Sequence, residues 1–217
     1  MSWILEEMTV EPLGESALIL RDLPMPAYRA ADRIRRGARG LLDVVAAYDT
    51  LGLYFKGEPP SEADLIAALS DSDALVEEAK HEFPVCYELG EDLAAVSERL
   101  AMSVDEVIRE HTSVWYRCFA IGFCPGFPYL GELPSRLSGL PRLPAPRVRV
   151  EPGSVAITGN QTGIYPMVRP GGWWILGRTP LTLVDVEGDY FPINAGDLVR
   201  FHSIDRAEFE ARVGERL

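Results

Sequence analysis

The sequence predicts an α+β protein in two parts, a small α/β N-terminal domain over residues 1–82 and a largely β domain, a barrel or a sandwich, over residues 83–217. Three observations carry this. Helical apolar spacing occurs only in short stretches before residue 112. From Arg117 onward, short apolar runs recur between Gly- and Pro-bearing turns, at intervals suited to a barrel or sandwich. The 217 residues are 47% hydrophobic and 25% charged, a globular mixture long enough for one large domain or two small ones.

Taken in order, Ala17–Leu20 reads as a strand after the turn at Gly14. Pro24 and Pro26 then break the chain. Ala27–Arg36 has helical spacing, with Tyr28, Ala31 and Ile34 on one stripe. Val44–Tyr48 and Leu51–Phe55 form a hairpin around Asp49-Thr50. Ser61 and Asp64 make a capping box that opens a helix burying Leu65, Ile66 and Leu69. A sheet covered on one face by two helices is the economical arrangement. Around Glu82–Tyr87 the chain passes into the second domain. Asp92–Leu100 is a helix with Leu93, Val96 and Leu100 aligned. Ser103 and Glu106 cap another, in which Val104, Val107, Ile108 and His111 repeat at i, i+3, i+4 and i+7. The helix pair has the spacing of a helix-turn-helix, but Asp105, Glu106 and Glu110 against Arg109 alone is the wrong charge for a recognition helix. Strands follow at Cys118–Ile121, Val148–Val150, Ser154–Ile157, Trp173–Leu176, Leu181–Val184 and Leu198–Phe201.

The net charge of −12 argues against nucleic acid and against anionic membranes as partners. Residues 114–202 differ, with eight Arg, no Lys and six acids. Arg without Lys suits bidentate capture of a carboxylate or phosphate, although surface ion pairs explain such residues equally simply. No apolar run approaches the ~18 residues of a membrane span. The N-terminus turns acidic at once and lacks the basic region of a secretory signal, so a cytoplasmic protein is expected. Cys86, Cys118 and Cys124 form no CxxC and read as free thiols. With His81, His111 and His202 scattered, no metal site is expected.

Residues 122–172 hold nine Gly and nine Pro, half of all such residues in the chain. Phe123, Phe127, Tyr129 and Tyr165 are interleaved with them, which marks rigid, packed loops rather than a disordered linker. No P-loop, GxSxG or HExxH is present. Cys124 has no visible base and reads as loop filling. His111 reads as a buried core histidine, or as a proton donor or acceptor if its helix packs beneath these loops. Gln161 and Tyr165 are of a kind to reach a carbonyl or amide. Arg178, between two strands, and Arg147, after Pro144-Ala145-Pro146, suit a carboxylate.

These loops resemble a known family. Gly122–Gly131 resembles its GFxPGFPYLG signature, and Pro141-Arg142 with Pro146-Arg147 its paired PR element. Pro152–Ile157 and Gln161–Pro166 resemble AGSVAIxGxQTGIYP. Pro170–Trp173 with Ile175–Pro180 resembles PGGWxxIGRTP, and Pro192 with Gly196–Phe201 the closing PGDxVRF. Glu151, Arg169 and Ala195 depart from the usual residues. The family is the bacterial 5-oxoprolinase B subunit, also called allophanate hydrolase subunit 1, which includes an inhibitor of a histidine kinase. The resemblance implies a cyclophilin-like β-barrel behind a small α/β domain, which does not imply prolyl isomerase activity. It implies a C subunit with a related barrel and an A subunit as partners, and ATP-dependent conversion of 5-oxo-L-proline to L-glutamate, with this chain inactive alone. A regulatory module that inhibits a sensor kinase, and a subunit handling a urea-like amide, are the alternatives. For a lactam, Arg147 and Arg178 would hold the carboxylate, Gln161 and Tyr165 polarise the amide, and His111 move protons. Phe127, Tyr129 and Thr162 complete the expected substrate-binding set. ATP would be used by the complex, and no metal is assigned.

Overall fold

The computed structural model describes residues 8–70 and 78–217. The chain separates into two compact units, Met1–Glu78 and Ala79–Leu217. In the first unit, β1 (Thr9–Pro12), β2 (Ala17–Arg21), β3 (Leu41–Ala47) and β4 (Thr50–Phe55) pair antiparallel in the order β1-β2-β4-β3. Helix α1 (Ala27–Gly37) starts after Pro26, which pre-sets φ and has no N–H to leave unpaired. It buries Ala27, Ala30, Ala31 and Ile34 and lies against β3 and β4. Helix α2 (Glu62–Ser70) opens at the expected reciprocal cap, in which Ser61 Oγ accepts the Asp64 N–H and Asp64 Oδ2 accepts the Ser61 N–H. The helices approach closely because Gly37 has no Cβ; one there would stand 2.8 Å from the Ala68 Cβ.

The second unit begins with β5 (Lys80–Val85), followed by α3 (Leu93–Leu100) and α4 (Val104–Thr112). Eight strands and a helix follow: β6 (Tyr116–Ile121), β7 (Pro128–Gly131), β8 (Arg147–Val150), β9 (Ser154–Thr158), β10 (Gln161–Ile164), β11 (Arg169–Gly171), β12 (Trp174–Arg178), β13 (Leu198–Ser203) and α5 (Arg206–Ala211). The expected boundary at 82/83 falls inside β5. The break comes before Lys80 because every residue of β5 pairs with β13, in parallel.

Hydrogen bonding runs β5-β13-β6-β7-β10-β9-β12. It then returns to the end of β5, where Cys86 and Arg178 exchange backbone hydrogen bonds of 2.9 and 3.1 Å. The sheet thus closes on itself as a barrel, which removes its edges. Strands β8 and β11 form a separate two-stranded ribbon.

The barrel wall is covered on both faces, which explains why all five residues of β9 are buried. Val155 and Ile157 on β9, and Trp174 and Leu176 on β12, join one core with Leu93, Val96 and Val107 of α3 and α4. Their neighbours Ala156 and Ile175 point the other way, into a second core built from Phe127, Tyr165 and Trp173. Period-two alternation along a strand produces this division.

One expected strand is absent. Leu181–Val184 is a loop whose Thr182 N–H donates to the Glu215 carbonyl. Leu181 and Leu183 are buried, so alternation there reflects a loop pinned by two leucines rather than a ladder. Ser103 completes its expected capping box with Glu106. The Ser103 N–H and hydroxyl and Arg136 hold the Glu106 carboxyl down to about 2. Ser103→Ala should cost about 1 kcal/mol of unfolding free energy, read by urea titration. An unchanged midpoint would mean that α4 is held by packing alone.

Candidate functional site

The loops on one face of the barrel wall line a half-open cavity of about 260 Å³. Its aromatic walls are Phe123, Phe127, Tyr129, Tyr165 and Trp173, and Pro146 and the run Pro170-Gly171-Gly172 form the remainder with Arg142. Phe127 is the hub. Its ring centroid lies 5.0 Å from Tyr129, 5.2 Å from Tyr165 and 5.5 Å from both Phe123 and Trp173, all edge-to-face. Such pairs add to the stabilisation from burial and fix ring orientation. The interleaved aromatics are therefore a packed wall.

Two glycines make room for it. A Cβ on Gly163 of β10 would stand 2.9 Å from the Phe127 ring and 3.1 Å from Trp173. A Cβ on Gly171 would overlap the Tyr165 hydroxyl. Burial pushes the Tyr165 phenol up, opposed by the Trp173 backbone N–H and by the charges of Arg142 and Arg147. Burial also raises Tyr129, with Arg142 opposing. Both phenols are therefore neutral hydrogen-bond donors at neutral pH. Cys124 adjoins this core with a thiol pushed up by burial, so it is not poised as a thiolate nucleophile.

Of the residues expected from sequence, Phe127, Tyr129 and Tyr165 line the cavity, and His111, Gln161, Thr162, Arg147 and Arg178 do not. The expectation that all eight converge on one small ligand is corrected accordingly. His111 and Thr162 belong to the opposite face of the wall. His111 is fully buried, stacked on Phe201 at 4.6 Å, with Nδ1 2.7 Å from Tyr87 Oη and Nε2 3.0 Å from Thr162 Oγ1. Burial pulls it from its ordinary value to about 3, so it stays neutral and exchanges no proton with the cavity. Thr162 and Gly163 are adjacent on β10, so only one of them can face the aromatic wall. Gln161 is half-buried at the start of β10.

The two expected arginines are already engaged. Arg147 pairs with Asp92 at 2.5 Å and Glu91 at 3.3 Å. The Arg178 Nε–H donates to the Pro152 carbonyl at 2.8 Å and ties the 151–154 turn to β12. Sequence reasoning missed Arg142 and Trp173 as cavity residues, although both stand in the motifs that carry the family resemblance. Among the described residues no group of His, Cys, Asp and Glu could hold a metal ion. No helix among them is long and apolar enough to cross a membrane.

Residues 8–191 match the family described as the carboxyltransferase domain, subdomain C and D, which sets the class of protein that this barrel and its loops define. The chain is 37% identical over 203 residues to the 5-oxoprolinase B subunit of Escherichia coli O157:H7, covering 87% of this chain and 93% of that protein. It is 36% identical over 211 residues to the 5-oxoprolinase B subunit of Haemophilus influenzae, covering 89% and 97%. Among solved structures, TTHA0988 superposes with a TM-score of 0.77 at 37% identity, over 91% of this chain but only 41% of that longer one. This chain belongs to the family of 5-oxoprolinase B subunits.

Proposed function

We propose that the chain is the B subunit of an ATP-dependent 5-oxoprolinase complex and that the aromatic cavity receives the lactam. The observation that carries this reading is the cavity itself. It is smaller than the roughly 300–1,000 Å³ of pockets for drug-sized ligands. It is walled by rigid rings and has one guanidinium, which suits a small ring with a single negative charge. The Tyr129 and Tyr165 phenols supply neutral donors for a lactam oxygen. The names of the full-length relatives supply the reaction.

A nucleoside triphosphate does not fit this cavity. Its phosphates need several cationic or backbone N–H donors, and the cavity offers one arginine in a small volume. ATP is used by the complex, and no step involving the nucleotide is assigned to the residues of this cavity. The partners are a C subunit with a related barrel and an A subunit, working together in the cytoplasm. The purified chain should release no glutamate from 5-oxo-L-proline and ATP, and mixing it with its A and C subunits should start release. A co-purified three-subunit complex that releases none would overturn the reading.

A further inference from the structure

We infer that Arg142 is the residue that reads the carboxylate of the ligand in the aromatic cavity, and so selects a small carboxylate over a neutral ring of the same size; this rests on the reading of the cavity given above. Arg142 is exposed at the cavity and makes no hydrogen bond or ion pair with any described residue. The other arginines near these loops each have a partner: Arg147 has Asp92 and Glu91, with its Nη1 buried and unbonded, Arg149 has Glu151, Arg178 gives its Nε–H to the Pro152 carbonyl, and Arg169 bonds the neighbouring Val168 carbonyl at 3.3 Å.

The backbone around Arg142 is fixed although its guanidinium is not paired. The Pro141 carbonyl accepts the Trp174 indole N–H at 2.7 Å. The Leu143 N–H donates to the Gly172 carbonyl, also at 2.7 Å. Trp174 is itself held in the barrel core, and Gly172 lines the cavity. A cation with both chain neighbours anchored and no internal partner is preorganised for an external anion, because little backbone entropy remains to be lost on binding. Its planar fork matches a carboxylate bidentately, while the aromatic walls pack the ring behind it. The charge already acts on the two phenols of the cavity, which places it within electrostatic reach of any ligand that touches them.

The test uses the complex with the A and C subunits. Losing a charge-assisted bidentate contact should raise the KM for 5-oxo-L-proline about 10–100-fold in Arg142→Gln. The kcat should change by less than about threefold, since the contact exists equally in ground and transition states. Arg142→Lys should recover part of the loss. Arg149→Gln removes the same charge from a surface pair and should leave KM within about twofold, because exposed ion pairs contribute little. An unchanged KM in Arg142→Gln overturns the inference and leaves the 5-oxoprolinase reading standing. Equilibrium dialysis with labelled 5-oxo-L-proline separates the other failures. If the wild-type complex binds the label, Arg142→Gln does not, and no glutamate forms, the 5-oxoprolinase activity falls while the cavity's role and the inference stand. If the wild type neither binds nor turns over, both fall.

Discussion

Replacing His111 with alanine should lower the unfolding free energy by about 3–5 kcal/mol, the usual cost of truncating a fully buried aromatic side chain. Packing is half of the argument, since His111 is stacked on Phe201 and in contact with Tyr116 and Tyr87. Hydrogen bonding is the other half. The Thr162 hydroxyl donates its one proton to the Ala156 carbonyl at 3.1 Å, so it can only accept from His111. Nε2 therefore carries the imidazole proton, and Nδ1 accepts from the Tyr87 hydroxyl. The chain of donors is complete with a neutral ring, and alanine would leave the Tyr87 donor without its acceptor. The pH dependence follows from burial, which pulls the His111 pKa down to about 3. An unfolded chain takes up a proton there near 6.5, and the folded chain refuses it until about 3. The contribution is complete above pH 6.5 and shrinks as the pH falls towards 3, by about 1.4 kcal/mol per unit. The stability gap between wild type and His111→Ala, measured by urea titration, should therefore narrow from pH 7 to pH 5. A constant gap would mean that the imidazole is not held neutral.

The features legible in the sequence are those set by neighbours in the chain. The Ser61 and Ser103 caps, the hairpin ending in Leu51–Phe55 and the α4 stripe ending at His111 depend on spacings of three or four residues. The packed character of the Gly- and Pro-rich loops was legible too, because Phe127 and Tyr165 have no use in a solvated linker. The pairing that closes the barrel was not, because Cys86 and Arg178 are far apart in the chain. Short strands such as β7 and β10 carry Pro128 and Gly163, which mask a strand pattern. The site was half legible. Assigning Gln161, Thr162 and Tyr165 to one ligand ignored the alternation that sends Thr162 to the face opposite Gly163. Choosing Arg142 over Arg147 required knowing that Asp92, 55 residues earlier, already holds Arg147.

That pair carries the second large effect: Asp92→Ala should cost about 3 kcal/mol, because it breaks one side of a part-buried ion pair and leaves a buried N–H without its acceptor. Asp92 precedes α3, where the sequence suggests a helix start, but its side chain caps nothing. Instead Oδ2 accepts the Ile175 N–H at 2.7 Å and Oδ1 accepts from Arg147 at 2.5 Å. The Asp92 N–H in turn donates to the Ile175 carbonyl at 3.0 Å, so α3 is clamped to β12 at two points. Alanine removes the acceptor for a buried N–H and leaves Arg147 with Glu91, which is 59% exposed and screened by water. Asparagine keeps an acceptor for Ile175 and loses only the charge, so Asp92→Asn should cost about half as much. The cost should reach the cavity, because Ile175 and Trp173 share its core. Trp173 fluorescence should shift on Asp92→Ala before global unfolding. If Asp92→Ala unfolds within about 1 kcal/mol of the wild type, the Arg147 pair is a surface contact. Arg147 would then be as available to a ligand as Arg142, and the division of labour between the two arginines would fail with it.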